Sequence, residues 1–351
     1  MEQHTRVSLH IRRYYPASWR SPTHLCLQMI LINYVGVSYV ATSGNDPVVH
    51  VIRAWPGLGG NNVWKVPSRI AYAHENSNLR VDEWGFNVSP SMVSCSWTKL
   101  LLDRNNARQE YDDPDLFQSQ GEGFLRLPAA TSANTVSTDY LRKIYEYTLQ
   151  TLTSKLHADI IRVTPFEFWF SIPAIWSDAA KDATINAARL AGFASRPGDE
   201  IRLIPEPEAA AIATLREYAN KGSASILKVG DNVLICDAGG GTVDITSYSI
   251  KSMQPLQFNE AVIGTGAKCG ATYIDRQFHI WMSQIFGAHF TNLAFEKKGP
   301  GSRFMRAFDD YKHDFGNSQN LDRVYDIPLV MRGVEDSEYY DAEEHLVKIR
   351  G

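Results

Sequence analysis

Apolar runs separated by short polar turns predict strands in the first part of the chain. The first run breaks at Asn33, after which residues 34–40 and 48–52 are again apolar. This spacing predicts a three-strand meander. Two further runs, over 166–172 and 201–204, predict a buried strand and a short strand.

Helical periods alternate with these later strands. Apolar side chains recur every three to four residues from Thr138 to Leu156, with Ser137 or Thr138 as the expected cap. Ser177 is expected to cap another helix, which ends at Gly192. Three further helices are predicted over 208–218, 273–286 and 304–315.

The most informative stretch is a polar turn between two apolar runs near the middle of the chain. Asp237 ends the first run and Thr242 opens the second, and three glycines stand between them: Gly239, Gly240 and Gly241. The pattern predicts strand, tight loop, strand. Successive glycine N–H groups converge in anion-binding nests, and aspartate and threonine oxygens suit Mg²⁺ and its waters. The stretch therefore indicates a site for a metal-bound nucleotide phosphate.

The alternative interpretation of this stretch is a hairpin whose turn happens to be rich in glycine. Two known phosphate motifs are excluded. No Gly-Lys-Ser/Thr follows, as a Walker A loop requires, and a strand follows where a dinucleotide fingerprint needs a helix. The choice between nest and ordinary turn therefore depends on segments elsewhere in the chain.

Three segments in order carry a family resemblance. Asp237-Ala-Gly-Gly-Gly-Thr-Val-Asp244 resembles the second phosphate motif of the actin and heat-shock protein 70 (Hsp70) ATPase superfamily, in its heat-shock form. Phe170–Asp178 resembles the family's Val-Pro-Ala-Tyr-Phe segment, and Ile204–Ala213 resembles its connecting motif, Asn-Glu-Pro-Thr-Ala-Ala-Ala. The resemblance covers residues 165 to 275 well and the flanks loosely.

The resemblance implies roles for particular residues. Asp237 would hold a hydrated Mg²⁺ and Thr242 would orient phosphate or water. Glu206 would lie near the metal, although it could instead complement the dipole of the helix that follows it. Asp244 could belong to the site or to the strand surface. The glycines that would contact the ATP phosphates are Gly239, Gly240 and Gly241, together with Gly264 and Gly266 in an expected flexible loop over 264–270.

The chain also departs from the family pattern. The first phosphate motif, Asp followed by Gly-Thr-Thr, is replaced by Ile32-Asn33. No lysine stands near Trp84, where the family places its catalytic lysine; Lys99 is the nearest downstream. Asp309–Lys312 is similar to the stretch that packs on adenine, although a solvated helix face is the favoured position for Lys312.

Composition restricts the class of protein. The chain has 351 residues, of which 44% are hydrophobic and 21% charged, with a net charge of -4 and four cysteines without metal-ligand spacing. This balance gives no basic footprint for nucleic acid, and the most apolar window, 25–40, is shorter than the ~20 residues of a membrane span. We therefore expect a protein of the reducing cytoplasm, with no nucleic-acid or membrane partner.

The expected fold is α/β, of the actin-like ATPase (ribonuclease H-like) type with two lobes. An unstructured leader would occupy 1–24, the first lobe 25–220 with a smaller subdomain at about 56–134, and an incomplete second lobe 221–351. Residues 104–137 are expected to form a loop or inserted segment. An incomplete second lobe would leave apolar sheet surface uncovered, which predicts marginal stability or association.

Two functional hypotheses follow, with a third behind them. The first is an Hsp70-like, chaperone-related domain that binds ATP or ADP with Mg²⁺ and hydrolyses ATP weakly or not at all, with protein partners or co-chaperones. The second is an inactive pseudo-ATPase that acts as an interaction scaffold, motivated by the missing first phosphate motif at Asn33. A sugar or acetate kinase of the same superfamily comes third.

Overall fold

A computed structural model of the chain describes most of its residues. The described residues are 25–31, 34–41, 48–103, 110, 112, 125–219, 227–253, 255–314 and 323–350. The expected leader, Asn33 and most of the expected insertion lie outside them. No helix among the described residues is long and apolar enough to cross a membrane.

Strands are distributed along the whole described chain. In order, they are β1 Leu25–Leu31, β2 Tyr34–Ala41, β3 His50–Val51, β4 Val66–Pro67, β5 Arg69–Ala71, β6 Glu83–Trp84, β7 Cys95–Ser96, β8 Phe166–Ile172, β9 Glu200–Pro205, β10 Asn232–Ala238, β11 Val243–Met253, β12 Leu256–Ala267, β13 Val324–Pro328, β14 Tyr340–Asp341 and β15 Leu346–Arg350.

The helices lie between and after the longer strands. They are α1 Ala133–Leu156, α2 Ala158–Val163, α3 Asp178–Ala191, α4 Glu206–Ala219, α5 Ala271–Phe286, α6 Ala288–Thr291, α7 Phe295–Lys298 and α8 Arg303–Asp314. Short 3-10 turns occupy Ala73–Glu75, Gly85–Asn87 and Thr98–Leu101. The chain is therefore a mixed α/β protein.

The first sheet combines an antiparallel meander with two parallel strands. Its order is β3-β2-β1-β8-β9, and β4 pairs with the start of β2. β1 is antiparallel to β2 and parallel to β8, which is parallel to β9. The meander and both later strands predicted from the sequence are confirmed. Parallel strands end at the same edge of a sheet, so the described segments that follow β8 and β9 lie near one another.

Two helices cover a face of this sheet and form the largest core. Phe166, Phe168 and Phe170 of β8 are each at most 1% exposed, and they pack with α1, α3 and β2 in one cluster. β8 is buried along nearly its whole length, as a central parallel strand should be. Both faces of β8 are buried although Glu167 and Ser171 interrupt its apolar residues, and Glu167 forms an ion pair with Arg202.

The predicted ends of α3 are confirmed, whereas the predicted start of α1 is wrong. The Ser177 side chain accepts a hydrogen bond from the Ala180 N–H, and Gly192 ends α3 at φ 109°, as predicted. The predicted cap at Ser137 or Thr138 is wrong, because α1 begins at Ala133. Ser132 caps it, and both predicted caps are buried inside the helix. The apolar period follows the buried face of α1 and leaves out its exposed first turn, so it predicts the helix start several residues too late.

The second sheet contains the central glycine stretch. β10 and β11 form the predicted antiparallel hairpin, and β12 pairs with β11 on its other side. The expected flexible loop over 264–270 is wrong in its first half, since β12 continues to Ala267. A Cβ at Gly266 would lie 2.5 Å from the Val243 carbonyl oxygen, so this glycine permits a close approach of two strands.

The remaining elements form two smaller units. β13, β15 and β14 make a three-stranded sheet that packs with α5, α6 and α8 around residues such as Met282, Phe304 and Tyr340. β6, β5 and β7 make another small sheet within the expected smaller subdomain. Helix α4 packs against β9 at one end and against β11 and β12 further along. It thereby links the first and second sheets.

An apolar residue on the outer strand of the second sheet predicts self-association. Ile263 on β12 is 90% exposed, and β12 is an edge strand among the described residues. Exposed apolar edge strands pair with other chains. We expect Ile263→Lys to lower the apparent mass in light scattering while changing unfolding by no more than about 0.5 kcal/mol. Val81→Lys, at a 63% exposed position outside any strand, should leave the mass unchanged; an equal effect of both variants would contradict the prediction.

Candidate functional site

A buried ion pair lies where the parallel strands end. Glu206 is the first residue of α4, directly after β9, and Lys99 stands in the 3-10 turn after β7. The Lys99 ammonium lies 2.8 Å from a Glu206 carboxylate oxygen, and their side chains are 9% and 7% exposed. It also contacts the Ser171 carbonyl at 3.4 Å and faces the Trp176 ring at 5.0 Å. A charge is thus held in a nearly dry position beside the carboxyl end of β8.

Two carboxylates face each other across the β10–β11 hairpin. Asp237 and Asp244 are direct partners in its register. Asp244 is 1% exposed and accepts a hydrogen bond from the Ile175 N–H at 3.3 Å. Since Ile175 follows β8, this bond joins the first sheet to the second. The other Asp244 carboxylate oxygen has no hydrogen-bond partner among the described residues.

Burial and neighbouring negative charges raise the pKa of both carboxylates. Burial, together with the nearby charges of Glu206 and Asp244, raises the pKa of Asp237 to about 6, against the partial opposition of Lys65 and Lys99. Burial is also the main reason that the pKa of Asp244 is raised, with Glu206 adding to it. Carboxylates that repel one another in this way favour a cation between them.

The glycine loop has fewer available donors than its sequence predicts. The Gly239 N–H donates to the Thr242 carbonyl at 2.9 Å, so the prediction that all three glycines present donors is wrong for Gly239. A turn this short uses that N–H to close the hairpin. The N–H groups of Gly240 and Gly241 have no acceptor among the described residues. Thr242 is 2% exposed, and its hydroxyl makes no hydrogen bond of regular geometry there, although it lies close enough to the Asp244 carboxylate to lower that group's pKa against the effect of burial.

A second segment supports the back of this loop. The N–H groups of Gly270, Ala271 and Thr272 donate to the carbonyls of Gly241, Gly239 and Gly240 at 3.1, 3.0 and 2.8 Å respectively. These are the first residues of α5 and its N-cap. The loop carbonyls are therefore occupied on one side, and two of the loop N–H groups remain available on the other.

The other two predicted glycines have structural roles in this arrangement. Gly264 and Gly266 lie within β12 and not in a loop. The Gly264 N–H donates to a Glu260 carboxylate oxygen at 3.0 Å. A Cβ at Gly266 would meet both Val243 and Ile175 at less than 3 Å. Close packing explains both glycines without a phosphate.

Lys65 and Lys99 are the cations that the sequence left unassigned. Lys65 precedes β4, whose pairing with Tyr34 and Val35 places Lys65 opposite Gly36 on β2. It is exposed, lowers the pKa of Asp237, and makes no ion pair or hydrogen bond with the described residues. No local signal in the sequence placed this lysine near Asp237.

The donor set suits a hydrated cation better than a directly bound one. Among the described residues, no group of three or more His, Cys, Asp or Glu side chains is placed to hold a metal ion. Asp237 is half-buried beside two further carboxylates. Mg²⁺ keeps several waters and commonly uses one or two carboxylates together with substrate phosphates. Asp237 therefore fits the role of a single outer carboxylate.

The interpretation of Lys312 as a residue on a solvated face is wrong. Its ammonium lies 2.7 Å from Asp275 and 2.9 Å from Asp309, and its side chain is 14% exposed. The pKa of Lys312 is raised by these two carboxylates, which outweigh its burial. Lys312 therefore stabilises the packing of α8 on α5.

Comparison with known proteins finds a family match over part of the chain. Residues 125–297 match the family model described as Hsp70 protein. The chaperone protein DnaK of Thermus thermophilus is 30% identical over 201 residues. Residues 125–297 of the chain are therefore a divergent Hsp70-like region. The matched region contains all three motif segments, whereas Lys65 and Lys99 precede it.

The relatives that this chain matches are longer than the chain itself. A chaperone protein HscA homologue of Acidithiobacillus ferrooxidans is 32% identical over 171 residues, covering 48% of the chain and 23% of the relative. The DnaK alignment covers 56% of the chain and 27% of DnaK. Human heat shock 70 kDa protein 12A is 25% identical over 323 residues, covering 75% of the chain and 46% of that protein. The chain thus spans between about a quarter and a half of each relative, and the family implies the actin-like ATPase fold.

Gly270 offers a test of the loop's support. An added Cβ would lie 2.6 Å from the Gly239 carbonyl oxygen and 2.7 Å from the carbonyl carbons of Gly240 and Gly241. We expect Gly270→Ala to cost about 1–3 kcal/mol in thermal or urea unfolding, because the loop must move. Gly36→Ala, whose nearest neighbours lie at 3.4 Å, is the control and should be close to neutral. A Gly270→Ala protein as stable as the wild type would contradict this packing.

Proposed function

We propose that the chain binds ATP or ADP with Mg²⁺ between the carboxyl ends of β8 and β9 and the β10–β11 hairpin, and that its ATP hydrolysis is weak or lost. The observation that carries the proposal is the convergence of distant residues on Asp237. Glu206 and Asp244 raise its pKa while Lys65 and Lys99 oppose them. Available N–H groups of Gly240 and Gly241 stand in the same hairpin. A nucleotide phosphate with its Mg²⁺ requires N–H groups that donate to the phosphate oxygens, cations, and a carboxylate for the metal.

Each residue has a role that follows from its surroundings. Gly240 and Gly241 would donate N–H groups to phosphate oxygens, and the buried Thr242 hydroxyl, beside the Asp244 carboxylate, would hold phosphate or a water. Asp237, ionised above pH about 6, would accept hydrogen bonds from the waters of the metal. Bound Mg²⁺ would supply neutralisation of charge on the transferred phosphoryl group.

The Lys99–Glu206 pair would stabilise negative charge on the phosphate and would not transfer a proton. Glu206 fixes the Lys99 ammonium at 2.8 Å and so determines its position beside Ser171. A cation fixed in a dry site stabilises developing negative charge more than one in water does. By place in the chain, Lys99 is our candidate for the family's catalytic lysine.

Weak hydrolysis follows from the sequence of the first hairpin. Ile32-Asn33 replaces the Asp-Gly-Thr-Thr of the family's first phosphate motif. Loss of one positioned donor lowers turnover by roughly a hundredfold or more. Nucleotide binding tolerates such a loss better than turnover does, because turnover requires the in-line geometry as well.

The second candidate is a pseudo-ATPase that serves as an interaction scaffold, and the same replacement at Asn33 favours it. The relatives named chaperone proteins support a chaperone-related role with protein partners under either hypothesis. Cys95, Cys236 and Cys269 are free, which supports the reducing cytoplasm as the compartment.

Calorimetric titration of the full chain with ATP and Mg²⁺ tests the proposal. We expect saturable binding that weakens roughly tenfold in Lys65→Gln, because a charged contact to phosphate is worth about 1.5–3 kcal/mol. Lys251→Gln is the matched control: Lys251 is also exposed, at the far end of β11. A folded wild-type chain that takes up no nucleotide would leave the scaffold hypothesis. Binding without release of phosphate in a single-turnover assay would establish the inactive form.

A further inference from the structure

A buried network of charges lies behind the glycine loop. Asp103, Asp112 and Lys268 are 3%, 4% and 4% exposed. The Lys268 ammonium lies 3.0 Å from an Asp103 carboxylate oxygen and donates to the Asp103 carbonyl at 2.6 Å. The Lys268 backbone N–H donates to the Asp112 carboxylate at 2.7 Å. Both the side chain and the backbone of one residue are thus held by two acidic residues more than 150 positions earlier.

The same network reaches the segment that follows β8. Asp103 accepts a hydrogen bond from the Ser177 hydroxyl at 2.5 Å, and Ser177 caps α3. Asp103 therefore fixes the start of α3 and the end of β12 together. These two places flank the hairpin that carries Asp237.

Lys268 connects to the loop through the backbone. It stands two residues before Gly270, and the N–H groups of residues 270–272 hold the three glycine carbonyls. Because a peptide unit is planar and trans, fixing a carbonyl fixes the N–H of the next residue in the opposite direction. The bonds to the carbonyls of Gly239 and Gly240 therefore set the directions of the Gly240 and Gly241 N–H groups.

We propose that Lys268, held by Asp103 and Asp112, is a positioning residue that aims the glycine-loop N–H groups at the nucleotide phosphate. The proposal rests on the proposed function for the identity of that ligand. A buried ion pair is seldom more stabilising than apolar residues of the same shape, so its use lies in defining one geometry. Here that geometry is the position of residues 268–272 against the loop.

Hydrogen exchange of the nucleotide-free chain tests the positioning directly. The amides of Gly270, Ala271 and Thr272 donate to the carbonyls of the glycine loop, and the Gly239 amide donates the bond that closes the hairpin. We expect them to exchange at least tenfold faster in Lys268→Met, relative to the β8 amides of the same protein. Arg126→Met is the control, because it breaks a different ion pair, the partly buried Arg126–Glu75, elsewhere in the fold. Unchanged exchange in Lys268→Met, or equal acceleration in the control, would overturn the proposal.

A second pair of variants covers the case in which Lys268→Met does not fold. Asp112→Asn keeps an acceptor oxygen for the Lys268 N–H, whereas Asp112→Leu removes it. Faster exchange of the four amides in Asp112→Leu than in Asp112→Asn supports positioning, and identical exchange in both refutes it. ATP affinity at least tenfold weaker in Asp112→Leu than in Asp112→Asn is the expected functional result. If the wild type binds no ATP, the proposed function fails, while the exchange result still decides the role of the network.

Discussion

Lys99→Met is expected to lower the free energy of unfolding by about 3–5 kcal/mol, the cost of leaving one member of a buried ion pair without its partner. Glu206 is 7% exposed and lies 2.8 Å from the Lys99 ammonium. Without that ammonium, its carboxylate must remain charged in a nearly dry site or take up a proton. Urea unfolding at neutral pH measures the loss.

Two further variants separate the ion pair from the volume of the side chain. The double variant Lys99→Met/Glu206→Gln removes both charges and should recover most of the stability, because no uncompensated charge stays buried. Lys181→Met breaks an exposed pair with Asp178 and should cost no more than about 1 kcal/mol. If the double variant is as unstable as Lys99→Met, packing around the lysine and not charge explains the loss.

Asp237→Asn is expected to stabilise the nucleotide-free chain while weakening ATP binding roughly tenfold to a hundredfold. Removal of a charged partner of the hydrated metal accounts for the lost affinity. The gain in stability comes from removing a carboxylate whose ionisation is unfavourable in the folded chain. The pKa of Asp237 is raised from 3.8 to about 6 in the folded chain, so ionising it there is unfavourable, and asparagine avoids that cost.

The pH dependence of this variant follows from the direction of the shift. Between pH 3.8 and about 6 the folded chain binds more protons at Asp237 than the unfolded chain does, so the wild type loses stability as the pH rises through this range. The advantage of Asp237→Asn should therefore be full above about pH 6 and vanish near pH 4. After allowance for solvent screening it is on the order of 1 kcal/mol, or roughly 1–2 °C in Tm for a chain of this length. A Tm difference that is constant from pH 4 to 8 would contradict it.

Local patterns predicted local structure well in this chain. The cap at Ser177, the stop at Gly192 and the hairpin around Asp237 depend on neighbouring residues, and the structure contains all three. The sequence pattern places Gly264 and Gly266 in a loop. Glycine occurs both in flexible turns and where strands pack closely, and the residue type alone does not distinguish these two cases. The neighbouring strand β11 decides between them, and it becomes visible only when the sheet is assembled.

The site itself depends on contacts that a sequence pattern does not encode. Lys99 and Glu206 are 107 residues apart, and Lys268 and Asp103 are 165 apart. The expected position of the family's lysine, near Trp84, is 15 residues before Lys99. Such distant residues meet only when the segment after β7 packs against the end of β9 and against the residues after β12. The carboxylates could be predicted, whereas the cations that balance them could not.

The Trp176 ring over the Lys99 ammonium gives the chain a built-in optical reporter. Trp176 is 4% exposed and lies 5.0 Å from the charge, so a soluble quencher such as iodide cannot reach it while the pair is intact. The emission of an indole depends on nearby charge, so any ligand that displaces the ammonium will change the fluorescence of this ring. The difference between the wild type and Trp176→Phe isolates that signal from the other tryptophans. Occupancy of the site can therefore be followed in real time without a label.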